Sequence, residues 1–463
     1  MTPDDLERLI LQTKEQAALR QAFKSLDAAQ RSKLSSTAQK LYNQISRNKP
    51  NKDASQRLRT FLEKQKGNHW NSHPSRNASL ALFALGPLSA LKKRDLYINW
   101  EDKDILGRIV LDRAPDWLDD WIAYDLEQEF RILQFPLLRL WITNGVCRKP
   151  EVDGYYAMFA AYMSAPNDRN NQPRPPLSRQ LLNEPDLLDD VWGIFQVENT
   201  AFDGHAWLSA NAAHDYENWP VAMVKLADSG HLDRQRLLDV SLDGLSSDVK
   251  QPQLSGFHKF HKRLKPTKAD RNQRQSAYLD LLTHKVGHVC KFALGMLGQI
   301  EKDGNLDAAA FLSEVGAIFI QEAKGNAVAA LKLIKRILKN QPSFAGEALS
   351  AVIEALQHPR ADVQEQALDI LAGHQDALPE PLQEAMRARS DFLASSNRDK
   401  FAKLLKHETQ PEPADSEYHP EAAQEIDSLL ADLPVAQKQA LGIDDILAKD
   451  RFAYCPISPR IMD

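Results

Sequence analysis

The segment 257–274 carries residue types that could bind a phosphate or a carboxylate group. It contains one acid, Asp270, and seven bases, which are Lys259, Lys262, Arg263, Lys265, Lys268, Arg271 and Arg274. Phe257, Phe260 and Leu264 recur at the three- and four-residue spacing of one buried helix face, which directs Lys259, Lys262 and Arg263 outward. The segment therefore predicts a basic patch that could contact a nucleic-acid backbone or an acidic protein. The plain alternative is a solvated helix face without a ligand.

Histidines form two pairs whose spacing puts both rings on one side of a helix. The pairs are His258 with His261 and His284 with His288. Zinc requires three or four protein ligands, and Cys290 follows His288 too closely to share its helix face. Because the HExxH motif is also missing from the sequence, the pattern favours histidines that pack or cap helices. It predicts no metal site and no cofactor.

The carboxylate pairs do not by themselves indicate an enzyme. They lie at positions 119–120, 189–190 and 444–445, where the first turns of helices and exposed faces account for most acids. The sequence has none of the motifs GxxxxGK[ST], GxGxxG and GxSxG, which mark nucleotide hydrolysis, dinucleotide binding and α/β-hydrolase chemistry. No set of nucleophile, base and oxyanion donor is recognisable. The sequence therefore predicts a protein without enzymatic activity.

The helices that must position these residues recur along the chain. An offset of 74 residues aligns 230–303 with 304–377 without gaps. It pairs Gly230, Leu232, Asp233, Leu238, Ala277, Leu282 and His284 with Gly304, Leu306, Asp307, Leu312, Ala351, Leu356 and His358. Each unit has room for about four helices, so the elementary repeat is a helix pair of about 37 residues, as in HEAT-like solenoids.

Helix faces and helix ends follow the same pattern. Leu349, Val352, Ile353 and Leu356 have the spacing of one buried helix stripe. Thr267 with Asp270 predicts a capping box, and Gly325-Asn326 predicts a helix end. The sequence lacks an alternating strand pattern of useful length, so the predicted fold class is all-α: a HEAT-like α-solenoid with an N-terminal helical region.

Turn-forming and acidic stretches divide the chain into three predicted parts. These are a Trp-rich helical region at 1–165, HEAT-like repeats at 179–407, and an acidic linker with a C-terminal tail at 408–463. In the first part, Trp117, Trp121 and Tyr124 share a helix face that favours core over binding platform. The segment 197–219 is interpreted as either a recognition loop or an ordered cap. Apolar positions in 426–433 and 452–461 could dock on the solenoid or on a partner.

Several segments together carry a family resemblance. They are HPRADVQEQALDIL at 358–371, DRQRLLD at 233–239, FHKRLKPT at 260–267, YLDLL at 278–282 and DRAPDWLDDW at 112–121. Over about residues 100–400 the chain resembles an uncharacterised bacterial family of HEAT-like helical-repeat proteins. Some members are encoded near MoxR-type AAA+ ATPases, von Willebrand A proteins and SWIM zinc-finger proteins. The resemblance implies an adaptor, with an AAA+ ATPase-containing system as a possible partner, and it brings no catalytic residue.

Composition sets the remaining limits. The 463 residues have 43% hydrophobic content and a formal charge of −5, so a nucleic-acid site would have to be a local patch. The three cysteines lie far apart, the N-terminus does not resemble a signal peptide, and no apolar run reaches the length of a membrane span. We therefore expect a cytoplasmic, non-catalytic scaffold that binds a protein partner through its solenoid surface. The alternative is a nucleic-acid-binding module that uses the patch at 257–274.

Overall fold

The computed structural model describes residues 1–65, 72–92, 96, 98–128, 131–168, 171–199, 201–202, 217–375 and 378–405. The chain divides into two units, Met1–Ala394 and Ser395–Asp463. The described residues form helices joined by short connections, and their only extended pairing is an isolated bridge between Asn167 and Pro173. The predicted all-α fold class is therefore confirmed for this part of the chain.

Unit Met1–Ala394 begins with a helical region that precedes the repeats. Its α-helices are α1 (Pro3–Gln12), α2 (Gln16–Lys24), α3 (Ala28–Ser46), α4 (Gln56–Lys64), α5 (His73–Leu85), α6 (Leu88–Lys92), α7 (Lys103–Arg113), α8 (Leu118–Leu126), α9 (Phe135–Thr143), α10 (Asp153–Met163), α11 (Leu177–Asn183), α12 (Asp186–Asp190) and α13 (Trp219–Asp228). Short 3₁₀ helices cover Trp100–Asp102 and Val191–Phe195.

The same unit continues through the repeat region. Its α-helices are α14 (Arg234–Ser246), α15 (Gln251–Arg263), α16 (Lys268–Gln273), α17 (Gln275–Asp280), α18 (Gly287–Lys302), α19 (Ala308–Glu314), α20 (Gly316–Ile320), α21 (Lys324–Asn340), α22 (Ala345–Glu354), α23 (Ala361–Ala372) and α24 (Glu380–Arg387). Short 3₁₀ helices cover Leu281–Thr283, Pro342–Phe344, Ala355–Gln357 and Ser390–Phe392. In the second unit, the described residues form α25 (Ser395–Leu404).

Aromatic residues build the core of the first helical region. Trp121 and Trp141 are buried and meet edge to face, with ring centroids 6.2 Å apart. The Trp141 indole also donates a hydrogen bond to the Gly107 carbonyl over 3.1 Å, which satisfies its polar atom inside the core. Trp121 thus has the predicted core role, whereas Trp117, which precedes α8, and Tyr124 of α8 are only half-buried.

Helix bounds in the repeat region recur at the 74-residue offset. α14 starts at Arg234 and α19 at Ala308, and the 3₁₀ helix Leu281–Thr283 corresponds to Ala355–Gln357. Asp233 and Asp307 cap the N-termini of α14 and α19 with their carboxylates. The preceding glycines, Gly230 and Gly304, have φ angles of 77° and 79°, a conformation that side-chain-bearing residues rarely adopt.

The two repeat histidines perform the same local task. His284 Nδ1 accepts a hydrogen bond from the Val286 amide over 3.0 Å, and His358 Nδ1 accepts one from the Arg360 amide over 3.1 Å. Each contact satisfies a backbone donor in the turn that leads into the next helix. The equivalence at this position therefore has a structural cause.

Helices of the repeat region pack in two series. α15, α18, α21 and α23 contact one another in that order, and so do α17, α19, α22 and α24. Buried apolar stripes between the series supply the core, as at Leu331 and Ile334 of α21. Each series covers the apolar faces of the other, and the opposite face of each helix is exposed to solvent.

Two local predictions have different outcomes. The capping box is confirmed: the Thr267 hydroxyl accepts from the Asp270 amide over 3.2 Å, and the Asp270 carboxylate accepts from the Thr267 amide over 2.8 Å. The helix end at Gly325-Asn326 is wrong, because both residues lie in the first turn of α21. The Asn326 amide group donates to the Gly287 carbonyl over 2.8 Å, so it joins α21 to the start of α18.

Among the described helices, none combines the length and the apolar character that crossing a bilayer demands.

Candidate functional site

The seven bases of the 257–274 patch fall into two groups. Lys259, Lys262 and Arg263 are exposed on α15, and Lys265 is exposed in the turn that follows it. Phe257 and Phe260 are buried on the opposite side of α15, as the spacing predicted. The remaining three bases, Lys268, Arg271 and Arg274, form ion pairs with carboxylates of the same chain.

Arg274 lies inside the fold. Its side chain is 4% exposed and pairs with Asp239 of α14 over 2.6 Å. The guanidinium also donates to the Gln235 carbonyl over 3.0 Å and to the Asp270 carbonyl over 3.3 Å. The three nitrogens of one planar guanidinium group thus join α14 to the junction of α16 and α17. Arg274 therefore has a structural role.

Arg271 and Lys268 share one acid. Arg271 pairs with Asp303 over 2.8 Å, and Lys268 pairs with the same carboxylate over 3.0 Å. These two cations lower the pKa of Asp303, since hydrogen bonds to the ionised form favour it. The patch that the sequence predicted is therefore reduced to the four exposed bases on and directly after α15.

Five further lysines, which lie outside the patch predicted from the sequence, extend this surface. Lys291 and Lys302 are exposed on α18, while Lys332, Lys335 and Lys339 are exposed on α21. α18 packs between α15 and α21. We call the nine residues together the basic face: Lys259, Lys262, Arg263, Lys265, Lys291, Lys302, Lys332, Lys335 and Lys339. Within the described residues, no carboxylate lies within ion-pair distance of any of them.

Contacts on both flanks of α18 show that the three exposed helix faces are neighbours. His258 of α15 meets His288 of α18, with ring centroids 5.7 Å apart. On the other flank, Arg336 of α21 pairs with Glu301 of α18 over 2.8 Å, and Asn340 donates to Glu301 over 3.0 Å. Between these flanks α18 exposes Lys291, Gly295 and Lys302.

Acids are common on the exposed surfaces of α14 and of the series α17, α19, α22 and α24. Exposed carboxylates there include Asp243 of α14, Asp280 of α17, Glu314 of α19, Glu347 of α22 and Glu384 of α24. Of the exposed bases there, Arg236 covers the Trp192 ring at 4.1 Å and Arg387 pairs with Glu380 over 2.7 Å. The exposed faces of α15, α18 and α21 are therefore basic, whereas α23, which packs against α21, exposes the acids Glu365 and Asp369.

The histidine pairs are divided differently from what their spacing suggested. His261 is buried, whereas His258 faces His288 across the α15–α18 contact. Burial together with Lys262, His288 and Lys259 lowers the pKa of His258 to about 4. Among the described residues no group of three histidine, cysteine or acidic side chains is close enough to hold a metal ion.

A buried polar chain connects α14, α15 and α17. Ser241 Oγ donates to the Leu238 carbonyl over 2.8 Å, so His261 Nδ1 donates to Ser241 Oγ over 2.8 Å. His261 Nε2 then accepts from the Tyr278 hydroxyl, also over 2.8 Å. Burial lowers the pKa of His261 to about 3, which keeps its ring neutral. Because Ser241 is fully buried, this chain stabilises the core and has no access to a substrate.

The carboxylates at 119–120 and 189–190 have different environments. Asp119 and Asp120 lie in the first turn of α8, as the helix dipole favours. Asp190 is fully buried, where it accepts from the Lys149 ammonium over 2.7 Å and from the Tyr155 hydroxyl over 2.5 Å. No sequence pattern distinguishes Asp190 from its neighbour Asp189, which is an ordinary acid on an exposed face. The pair at 444–445 lies outside the described residues, as do 426–433, 452–461 and residues 203–216 of the segment 197–219.

A cleft of about 1010 Å³ lies against α9 and α10. Its lining includes Phe135 and Met158, and two of its three bases are already engaged with the protein. Arg174 stacks on Tyr162 at 4.0 Å, and Arg131 donates to the Gly154 carbonyl over 3.3 Å. The basic face therefore offers more cations without a protein partner than this cleft does.

Sequence comparison gives a family and no function. No curated protein matches the chain, and no solved structure matches it. A family profile matches residues 1–325, a range that begins at the N-terminus and ends at the start of α21. This range includes α15 and α18 but excludes the lysines of α21. The chain belongs to the family described as a domain of unknown function, DUF6493.

Proposed function

We propose that this protein is a non-catalytic interaction scaffold of the bacterial cytoplasm, in which a HEAT-like α-solenoid over residues 179–407 binds a protein partner. The observation that carries the proposal is the recurrence of helix bounds and caps at the 74-residue offset. Helix pairs that repeat in this way bury their apolar stripes on one another and expose long helix faces. Such faces suit partner binding without chemical turnover.

Two exposed apolar side chains indicate where a protein partner would bind. Ile320 at the end of α20 is 83% exposed, and Phe392 is 58% exposed. The 3₁₀ helix Ala355–Gln357 packs against both α20 and the 3₁₀ helix Ser390–Phe392, which carry these two side chains. Large apolar anchors at the centre of an interface contribute most of the binding energy in protein complexes.

The test is a binding measurement with a matched control. A MoxR-type AAA+ ATPase is the first partner to try, followed by capture from cells that encode the protein. We expect Ile320→Ser with Phe392→Ser to weaken capture by about tenfold or more, since each truncated anchor costs over about 1 kcal/mol. The control pair is Val152→Ser with Leu182→Ser, which removes two other exposed apolar side chains outside the double repeat at 230–377. If no protein co-purifies reproducibly, the scaffold proposal is withdrawn.

A second function, nucleic-acid binding, is supported by one specific observation. Lys259, Lys262, Arg263 and Lys265 are exposed and lack carboxylate partners among the described residues. Cations of this kind neutralise phosphates and release counterions, which makes binding strongly dependent on salt. A mobility-shift measurement at two salt concentrations tests this function. Binding that survives Lys262→Glu, Arg263→Glu and Lys265→Glu unchanged would exclude the patch.

A further inference from the structure

The basic face has dimensions that suit an extended polyanion. Lys291 and Lys302 are eleven positions apart on α18, which is about 16 Å along the helix. Adjacent helices pack about 8–10 Å apart, so α15 and α21 are about 16–20 Å apart across α18. A duplex carries one phosphate charge per about 1.7 Å of its axis, hence about nine phosphates over 16 Å. The face has a comparable number of cations.

The centre of the basic face is recessed, because two glycines of α18 lie there. Gly295 of α18 is exposed, and a Cβ atom at this position would meet no neighbouring atom within 4 Å. Gly298, one turn further, is half-buried beside the guanidinium of Arg336. Lysines of α15 and α21 stand on either side of these two glycines. A phosphate backbone could therefore approach the α18 main chain while ammonium groups reach it from both flanks.

The residue types favour nucleic acid over an acidic protein. Eight of the nine residues of the basic face are lysines, and lysine is depleted in protein–protein interfaces, whereas arginine and aromatic residues are enriched. Among the described residues of α15, α18 and α21, no large apolar side chain is exposed. An acidic protein would thus lack an anchor, while phosphates require only positive charge at the correct spacing.

The absence of an aromatic platform selects a duplex over a single strand. Single-strand binders stack bases on exposed aromatic rings. Phe292 is the aromatic residue of α18, and it is buried beneath the Lys262 ammonium, which lies 5.7 Å from the ring centroid. Within the described part of these three helices, a nucleic acid would therefore be contacted through its sugar-phosphate backbone and not by stacking of its bases.

We propose that the whole basic face, spread over α15, α18 and α21, binds the sugar-phosphate backbone of a nucleic-acid duplex without reading its sequence. The inference deepens the second proposed function and rests on it. The site then includes five lysines outside the 257–274 patch, and its central element is α18. If about half of the nine cations contact phosphates, the logarithm of affinity falls with the logarithm of salt with a slope of about −4.

The experiment measures binding of the full chain to a labelled 24-base-pair DNA duplex of mixed sequence across salt concentrations. The key variant replaces Lys332, Lys335 and Lys339 of α21 by Gln, which keeps helix-forming side chains and removes three charges. We expect affinity at 0.1 M salt to fall about tenfold or more and the salt slope to shrink by about 1–3, which is about 1 for each of the three lysines that contacts a phosphate. The matched control replaces Lys33, Lys40 and Lys52, which are also exposed and far from the face in sequence.

A single substitution provides an independent variant. Gly295→Glu adds a carboxylate to the centre of the face at a position where the structure has space. Glu is a better helix former than Gly, so the fold is expected to remain intact. We expect duplex binding to weaken at least as much as in the α21 variant. Gly295→Gln, which adds the same bulk without charge, should weaken binding less.

The possible results distinguish a failure of the extended face from a failure of the second proposed function. If the α21 variant binds like the wild type while Lys259→Gln, Lys262→Gln and Arg263→Gln together weaken binding, the site is only the α15 patch and the extended face is wrong. If the wild type does not bind the duplex, both proposals fail. Tighter binding of a 24-residue polyglutamate peptide or of a 24-nucleotide single strand would also overturn the duplex assignment.

Discussion

Arg274→Gln should lower the stability of the protein but leave its affinity for a charged ligand unchanged. Arg274 is one of the seven bases of the predicted patch, but its side chain is 4% exposed and paired with Asp239. The substitution removes the ion pair and the donors to the carbonyls of Gln235 and Asp270. The carbonyl oxygens then lose a charged donor in a region that water does not reach.

The magnitude follows from these contacts. A hydrogen bond to a charged group contributes about 1.5–3 kcal/mol, and breaking a fully buried ion pair costs about 3–5 kcal/mol. The Asp239 side chain is 56% exposed, so water can solvate its carboxylate after the loss of Arg274. We therefore expect a loss near the lower limit, about 3 kcal/mol in the free energy of unfolding. With a urea dependence of about 3 kcal/mol per molar, the unfolding midpoint shifts by about 1 M.

Urea unfolding followed by far-ultraviolet circular dichroism measures the shift. Arg263→Gln is the control, because Arg263 is exposed and the expected change is within about 0.5 kcal/mol. The order should be reversed for duplex affinity. Of the two folded variants, Arg263→Gln is more stable but should bind the duplex more weakly. An Arg274→Gln protein that unfolds like the wild type and binds as weakly as Arg263→Gln would refute the structural role of Arg274.

Three further predictions concern the fold around the site. Since the folded-state pKa of His261, about 3, is below its unfolded value near 6.5, neutral His261 favours the fold above pH 6.5 and this stability is lost as pH falls toward 3. Unfolding measured at pH 7 and pH 5 should differ by about 2 kcal/mol from this group, and His261→Gln should remove that part of the difference. Gly256→Ala should cost about 1–3 kcal/mol, because its Cβ would lie 1.7 Å from the Phe202 carbonyl oxygen. Gly295→Ala should instead stabilise α18 by up to about 1 kcal/mol, and thermal melts of the two variants compare these effects. Asp190→Asn should cost about 2–4 kcal/mol by leaving the Lys149 ammonium without its carboxylate, and an unchanged melting temperature would contradict the importance of that cluster.

Much of the helical organisation could be predicted from the sequence. The offset that pairs His284 with His358 and Asp233 with Asp307 reflects local tasks, namely a turn contact and a helix cap, which depend on neighbours in the chain. The capping box at Thr267 is local in the same sense. Patterns of this kind need no knowledge of tertiary packing.

Features that depend on the helical phase or on distant helices could not be predicted. The chain changes direction at Arg274, between α16 and α17, so counting positions from α15 does not give the inward direction of its side chain. The basic face joins Lys262 to Lys332 because α18 packs between their helices, and no sequence spacing relates them. Asp190 is buried because Lys149 and Tyr155 reach it from 41 and 35 residues away.

Chemical footprinting of lysines tests the central claim most directly. Acetylation of the full chain, with and without the DNA duplex, followed by mass spectrometry reports which ammonium groups the ligand covers. The predicted result is protection of Lys259, Lys291 and Lys332 together, one on each of α15, α18 and α21, with Lys33 and Lys40 unchanged. Equal reactivity of the three face lysines in bound and free protein, or protection confined to α15, would contradict a binding surface shared by the three helices.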